Sequence, residues 1–257
     1  MKIAILGAGA YGTALGGILA ENGHDIDYYD PKLKSEKLAD VIENADAIVL
    51  CIPSSVISHT LPYLMKDKLL IVVTKGILTD AIFKDFKDWV VLSGPGYADD
   101  IKAGKSTHLT ATDSRIVELF STGFLDFDMT SDRKGVLMCG ALKNVYAIGA
   151  GLRGLKSGTE AHEQYLRDAM DEMRTLLLAN RADPRTVDLN CGKGDLRITC
   201  YYPSRNYEFG RILKENPSAE PEKTVEGMAA LKLIHQREIV VPENLKILEE
   251  IIDATER

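Results

Sequence analysis

The chain is poor in cysteine and has no long uninterrupted apolar run. Its four cysteines, Cys51, Cys139, Cys191 and Cys200, form no CxxC pair. That pattern argues against a disulfide framework and against a zinc site, and it fits reduced thiols in a cytoplasmic protein. No metal is expected. No stretch of about 18 consecutive apolar residues occurs, so no membrane span is predicted. Positive charge is also in deficit: 31 Lys and Arg face 38 Asp and Glu, a net charge of −7. This argues against a nucleic-acid or anionic-membrane surface, yet leaves room for a locally positive pocket that takes a small anion. The five histidines (His24, His59, His108, His162 and His235) sit in no motif and are assigned no role. Internal repeats and low-complexity tracts are missing. The 45% of hydrophobic residues in 257 supplies a sizeable core, enough for one large or two modest domains.

The N-terminus, MKIAILGAGAYGTALGGILA, is apolar after one lysine, but glycines at 7, 9, 12 and 16 interrupt it and its start is weakly basic. A signal peptide is therefore not expected. Strands are predicted at 2–6, 25–30, 47–53, 69–74, 89–93, 107–112 and 124–129. Helices are predicted between them at 11–22, 33–43, 55–65 and 114–121. Asn22-Gly23 ends the first helix as a C-cap. Alternation of this kind gives an α/β fold with a mostly parallel sheet. Beyond Thr130 the pattern is helical: 131–153, 159–180, 204–214, 222–236 and 242–252, with Asp183-Pro184 reading as an N-cap and first helical position. The predicted division is a dinucleotide-binding domain of Rossmann type over 1–130 and an all-helical substrate domain over 131–257.

Gly7-Ala8-Gly9-Ala10-Tyr11-Gly12 is a GxGxxG string that follows a strand and opens a helix. In that context Gly7 permits the tight turn and Gly9 lets the backbone approach a pyrophosphate. Gly12 brings helix and strand close. The helix N-terminus offers amide groups to phosphates. Asp30 ends the second strand at the distance expected for the acid that binds the adenosine ribose. Its charge repels a 2′-phosphate, so NAD is favoured; Lys32 and Lys34 nearby keep NADP open.

In GALKNVYAIG, 140–149, Lys143 and Asn144 interrupt an otherwise apolar, small-residue helix. Cys139, Gly140, Tyr146 and Ala147 share the face of Lys143, and small neighbours leave an indentation beside the polar tips. Lys75 lies at the C-terminal end of a strand, where open α/β sheets bind ligands. SGPGYADD, 93–100, is another strand end with a tight turn. GDLRITCYYPSRN, 194–206, gathers Asp195, Thr199, Ser204, Arg205 and Asn206, the last two in a helix's first turn, a natural anion site.

With those segments in place, the chain resembles the NAD(P)-dependent glycerol-3-phosphate dehydrogenase family. The resemblance rests on GAGAYGTA at 7–14, IPSS at 52–55, TKG at 74–76, SGPGYADDI at 93–101, GALKNVYAIGAG at 140–151, GDLRITCYYPSRNYEFG at 194–210 and VEG at 225–227. It implies reduction of dihydroxyacetone phosphate to sn-glycerol 3-phosphate, a reversible hydride transfer that feeds glycerophospholipid synthesis. It assigns proton transfer to Lys143, with Asp195 and Lys75 beside it. Substrate contacts would come from Lys75, Gly94, Gly96, Asn144, Asp195, Thr199, Ser204, Arg205 and Asn206. Cofactor contacts would come from Gly7, Gly9, Ala10, Tyr11, Gly12, Asp30, Pro53, Lys75, Ala98, Arg205 and Glu226. Lys143 and Arg205 are expected to grip opposite ends of a small phosphorylated three-carbon substrate, and a homodimer is left open. Two alternatives share the architecture: a related lysine-dependent dehydrogenase of another hydroxy substrate, and a non-catalytic dinucleotide-binding relative.

The chain departs from the family in three places. Only 16 residues, 31–46, join Asp30 to the next strand, where the family has a longer insert. Gly96 stands where Ser, Thr or Asn is common. The sequence ends soon after the helix expected at 242–252.

Overall fold

A computed structural model describes residues 1–33, 37–201, 203–221 and 224–256. The chain divides into two compact units: Met1–Thr74 with Asp80–Arg133, and Lys75–Thr79 with Lys134–Arg257. Lys75, at a strand end in the first half of the sequence, thus belongs to the second unit.

The first unit carries β1 (Lys2–Leu6), α1 (Ala10–Glu21), β2 (Asp25–Tyr29), α2 (Leu38–Glu43), β3 (Ala47–Leu50), α3 (Ser54–Thr60), β4 (Leu69–Val72), β5 (Trp89–Ser93), α4 (Ala98–Lys102), β6 (Thr107–Ala111), α5 (Ser114–Leu119) and β7 (Leu125–Met129). The strands form one sheet in the order β2-β1-β3-β4-β5-β6-β7. Only β5 and β6 pair antiparallel; the other neighbours are parallel. β1, β3 and β5 are almost continuously apolar, and β3 and β5 are buried at every position, as strands covered on both faces must be. The chain leaves β1 toward β2 on one side and returns to β3 on the other. That reversal opens a crevice at the carboxyl ends of β1 and β3, where ligands of doubly wound sheets bind.

In the second unit, α6 (Arg133–Arg153) is buried at every position from Gly135 to Gly151. It is long and apolar enough to cross a membrane by length and composition, but here it is the core helix of the unit. Around it are α7 (Glu160–Ala179), α8 (Asp195–Thr199), α9 (Arg205–Glu215), α10 (Glu226–His235) and α11 (Lys246–Thr255). α9 lies against α6 backbone to backbone. A methyl group at Gly151 would stand 2.0 Å from the carbonyl oxygen of Tyr207, and one at Gly210 would stand 2.0 Å from that of Ile148. Glu172 of α7 half-buries its carboxylate, accepts the phenol of Tyr146, and caps α11 by accepting the amides of Ile247 and Leu248.

The structure shortens several expected elements. Strands predicted to 53 and 74 end at Leu50 and Val72, because the chain turns out of the ladder at the binding edge. The helix expected over 33–43 begins at Leu38, and its residues 34–36, Lys34 included, lie outside the described residues. The one expected over 55–65 stops at Thr60 and continues as a 3-10 turn, Leu61–Tyr63, since Pro62 has no N–H to donate. α11 starts at Lys246 rather than 242, because Asn244 adopts φ 66°, a left-handed angle that no helix passes through. Of the helix expected over 222–236, residues 222–223 lie outside the described residues, and α10 begins at Glu226. α4 and α8 were not expected from the sequence as helices, nor was the π turn Asn190–Gly194 that runs into α8.

Candidate active site

The glycine-rich loop is held by its own close contacts. Gly7 has φ 103°, and a side chain there would reach within 2.3 Å of the carbonyl oxygen of Cys51, so only glycine fits where β1 and β3 open. A side chain at Gly12 would strike the carbonyl of Gly7. Gly9 differs: a methyl group there would meet nothing within 4 Å. No protein contact requires a glycine at that position, and the open space lies at the start of α1. Gly9 caps α1 without a side chain, and no acid stands in the first turn, so its amide end is free to face an anion. Asp30 follows β2 and joins the loop: Oδ2 accepts the amide of Ala8 at 3.1 Å and Oδ1 accepts that of Lys32 at 3.0 Å. The carboxylate therefore sits beside the loop with lone pairs to spare for ribose hydroxyls. This arrangement fits a dinucleotide.

The other expected first-unit contacts surround this loop or the β5 end. Ala10 opens α1 on its exposed side, and Tyr11 packs partly against the sheet core. Pro53 precedes α3 and is exposed; Ala98 opens α4 and packs partly on the core. Gly94 has φ 136° and rests on Leu109, and Gly96 donates its amide to the Gly94 carbonyl. A side chain at Gly96 would come within 3.2 Å of Leu109 and 3.4 Å of the Tyr11 hydroxyl, so the larger residue common in the family is tight here.

The second unit gathers the charged residues. Asp195 begins α8 and is fully buried. Its Oδ1 takes the ammonium of Lys143, and its Oδ2 accepts from Lys75 at 2.9 Å. Thr199 donates its hydroxyl to the Asp195 carbonyl at 2.6 Å, which steadies that one-turn helix. Lys143 is 4% exposed and projects from the middle of the core helix α6, so it is not a lysine that reaches water. Burial lowers its pKa to about 7; Asp195 opposes the shift and Lys75 reinforces it. Desolvation outweighs the carboxylate here. Burial also pushes the Cys200 thiol well above its ordinary range, opposed by nearby Lys143.

Two sequence-expected contacts are engaged by the protein itself. Ser204 caps α9 by accepting the amide of Tyr207 at 3.2 Å. Asn206 is buried and bonded to Asn144 and to the amide of Gly227. Arg205, in contrast, is exposed at the first position of α9, on the wall of a cleft of about 610 Å³ shared with Glu208, Phe209, Ile212, Asn216 and Val225. Lys143, Lys75 and Asp195 are not among that cleft's walls. Glu226 opens α10, half-buried.

A sequence profile described as NAD-dependent glycerol-3-phosphate dehydrogenase C-terminus matches residues 132–256, and the corresponding N-terminus profile matches residues 2–35. A glycerol-3-phosphate dehydrogenase [NAD(P)+] from Citrifermentans bemidjiense is 31% identical over 259 residues, spanning 81% of this chain and 77% of the relative. The chain belongs to the NAD(P)-dependent glycerol-3-phosphate dehydrogenase family. The expected family resemblance and the α/β-plus-helical fold class are thereby borne out. Crystal structures of glycerol-3-phosphate dehydrogenase from Coxiella burnetii (24% identity, TM-score 0.78, 99% of this chain and 97% of that one) and Plasmodium falciparum (18%, 0.81, 99% and 91%) share the fold. As a family member the protein is an oxidoreductase that uses NAD(P).

Sequence reasoning missed the hydrogen bond from Asn206 to Asn144, which joins residues 62 positions apart. The adjacency of Asn144 to Lys143 was the only signal. It also assigned no role to His162, which is buried on α7 with Nε2 3.0 Å from the Cys200 carbonyl, behind α8. Among the described residues no cluster suited to a metal ion occurs, and none of the four cysteines is in a disulfide.

Proposed function

We propose that the protein interconverts dihydroxyacetone phosphate and sn-glycerol 3-phosphate with NAD(P)H, in the cytoplasm, supplying the glycerol unit of phospholipids. The observation that carries this reading is Lys143: a buried amine, held by Asp195 beside Lys75, whose pKa is brought to about 7.

NAD(P)H, when bound, would supply the hydride and NAD(P) would take it back. The protein's own task is then to manage the proton at the substrate oxygen. When the ketone is reduced, its oxygen gains negative charge. The Lys143 ammonium stabilises that charge and donates the proton; in reverse, the neutral amine removes it. A group with pKa near the working pH does both without a large free-energy penalty. Asp195 fixes the position of Nζ through one oxygen, and through the other it holds Lys75, whose partly exposed ammonium contributes a second positive charge to the substrate. Arg205, free-standing on the first turn of α9, supplies the cation for the phosphate, and the amide end of that helix supports it. Asp30 favours NADH over NADPH by charge. A homodimer is compatible with this scheme.

The reading is tested by NADH oxidation with dihydroxyacetone phosphate, beside hydroxyacid and sugar-nucleotide substrates. Turnover confined to the triose phosphate is expected. Turnover on another class alone, or tight NADH binding without turnover, would overturn it.

A further inference from the structure

α8 is a short helix of five residues, Asp195–Thr199, and its first residue supplies the carboxylate that holds both lysines. A helix that short closes too few of its own hydrogen bonds to fix its direction, so its orientation comes from what it is tied to. The first turn of α7 ties it at two adjacent positions. His162 Nε2 lies 3.0 Å from the carbonyl oxygen of Cys200, the C-cap of α8. Glu163 accepts the guanidinium of Arg197 through both oxygens at 2.7 Å. The two ties are unequal. The side chains of Arg197 and Glu163 are 53% and 33% exposed, and water screens their attraction. His162 and Cys200 are buried, so removing that donor would cost the carbonyl a partner in a dry setting.

A carbonyl only accepts, so the proton of this bond sits on Nε2. In the neutral ring Nδ1 is then bare, and among the described residues it has no hydrogen-bond partner; Glu163 Oε1 stands 3.9 Å away. The interior thus carries one unbonded polar atom to keep the other bonded. The tie reaches Asp195 through α8 itself: the Cys200 amide donates to the Leu196 carbonyl at 2.9 Å, and the Thr199 hydroxyl donates to the Asp195 carbonyl at 2.6 Å. We infer that His162 is a positioning residue: by donating to the Cys200 carbonyl it anchors the far end of α8 and keeps the Asp195 carboxylate on the ammonium of Lys143. Its kinetic consequence rests on the function proposed above.

Two amides of different reach test the inference. His162→Gln places an N–H where Nε2 stands, and His162→Asn offers the same group one methylene short of the Cys200 carbonyl. Both lose the ring, so the contrast between them reads the hydrogen bond. The readout is the titration of Lys143, followed through its ε-carbon NMR resonance in ligand-free protein, which needs no substrate. Lys75 on the same carboxylate and the buried Cys200 thiol are present in both variants alike. Asp195 raises the pKa of Lys143, so a carboxylate that drifts away should lower the midpoint below its wild-type value of about 7. The midpoint should fall in His162→Asn and stand at the wild-type value in His162→Gln. In parallel, kcat for dihydroxyacetone phosphate should fall about tenfold in His162→Asn and return in His162→Gln, with Kd for NADH unchanged in both. Equal midpoints in the two variants, or a raised one in His162→Asn, would overturn the inference. A wild type that does not turn over the triose phosphate, with the midpoint contrast intact, would overturn the proposed reaction and leave His162 in its role. Ring-nitrogen shifts of His162 in the wild type at pH 8 test the bond without any substitution, should His162→Asn fail to fold. A proton on Nε2 is expected, and a proton on Nδ1 alone would contradict the inference.

Discussion

The ammonium of Lys143 rests on Oδ1 of Asp195, a carboxylate with no solvent exposure, and Lys75 holds the other oxygen of that group. Two cations on one buried anion leave a net positive charge in a site that burial otherwise makes hostile to charge. The lysine deeper in the protein bears the larger cost, and its proton becomes labile near neutral pH.

The lability of that proton gives opposite pH profiles for the two reaction directions. Ketone reduction needs the ammonium, so its kcat is expected to fall as pH rises through about 7. Alcohol oxidation needs the neutral amine and should rise through the same region. Steady-state rates from pH 5.5 to 9.5, in both directions, check this. Parallel profiles would separate Lys143 from the proton.

The neighbours of Lys143 should move that midpoint in known directions. Lys75 lowers the pKa of Lys143, so Lys75→Gln should shift the reduction profile to higher pH. Asp195 raises it, so Asp195→Asn should shift the profile to lower pH. Asp195→Asn also leaves a buried ammonium without its anion, and a fall in thermal stability should accompany it.

The same ionisation links pH to folding. Lys143 is depressed in the folded protein from its ordinary value of 10.5 to about 7. Between those values the unfolded chain binds a proton that the folded chain does not, so this residue makes stability rise with pH across the window. Urea unfolding of wild type and Lys143→Met at pH 7.5 and 9.5 checks the sign. The wild type should gain more on going to the higher pH.

Asp30 should set the cofactor preference. If Asp30 binds the adenosine ribose, Asp30→Ser removes the charge that would face a 2′-phosphate, and the NADPH-to-NADH ratio of kcat/KM is expected to rise by at least about tenfold. Because Asp30 also accepts the amide of Ala8, the rate with NADH should fall at the same time. An unchanged ratio would mean that Asp30 serves the loop alone.

The α6–α9 contact has no room for a side chain. Gly210→Ala places a methyl group against the carbonyl of Ile148, and the backbones must part. A destabilisation of about 1–3 kcal/mol or more is expected by denaturant unfolding. Gly9→Ala, in contrast, meets no protein atom within 4 Å, so it should leave stability nearly intact while weakening NADH binding.

The fold was legible where burial repeats along the chain. The apolar runs at β1, β3 and β5 announce a sheet covered on both faces, and the GxGxxG string announces the turn that Gly7 makes. The short helices α4 and α8 were not, because five residues carry too little periodicity to register a helical face. At the site, Lys143 was conspicuous against its apolar neighbours. Nothing local to Asp195 or Lys75 shows that they meet it, since the ion pairs span 52 and 120 residues of sequence. The direction of the Asn206–Asn144 bond depends on backbone groups of two other segments, which residue types alone do not reveal.

The most direct measurement is the rate of NADH oxidation with dihydroxyacetone phosphate for the wild type and for Lys143→Ala. The wild type should turn over. The variant should bind NADH as before and lose about a hundredfold to ten-thousandfold in kcat, the range carried by a positioned proton donor. A variant that keeps most of the wild-type rate would show that the buried amine takes no part in the chemistry.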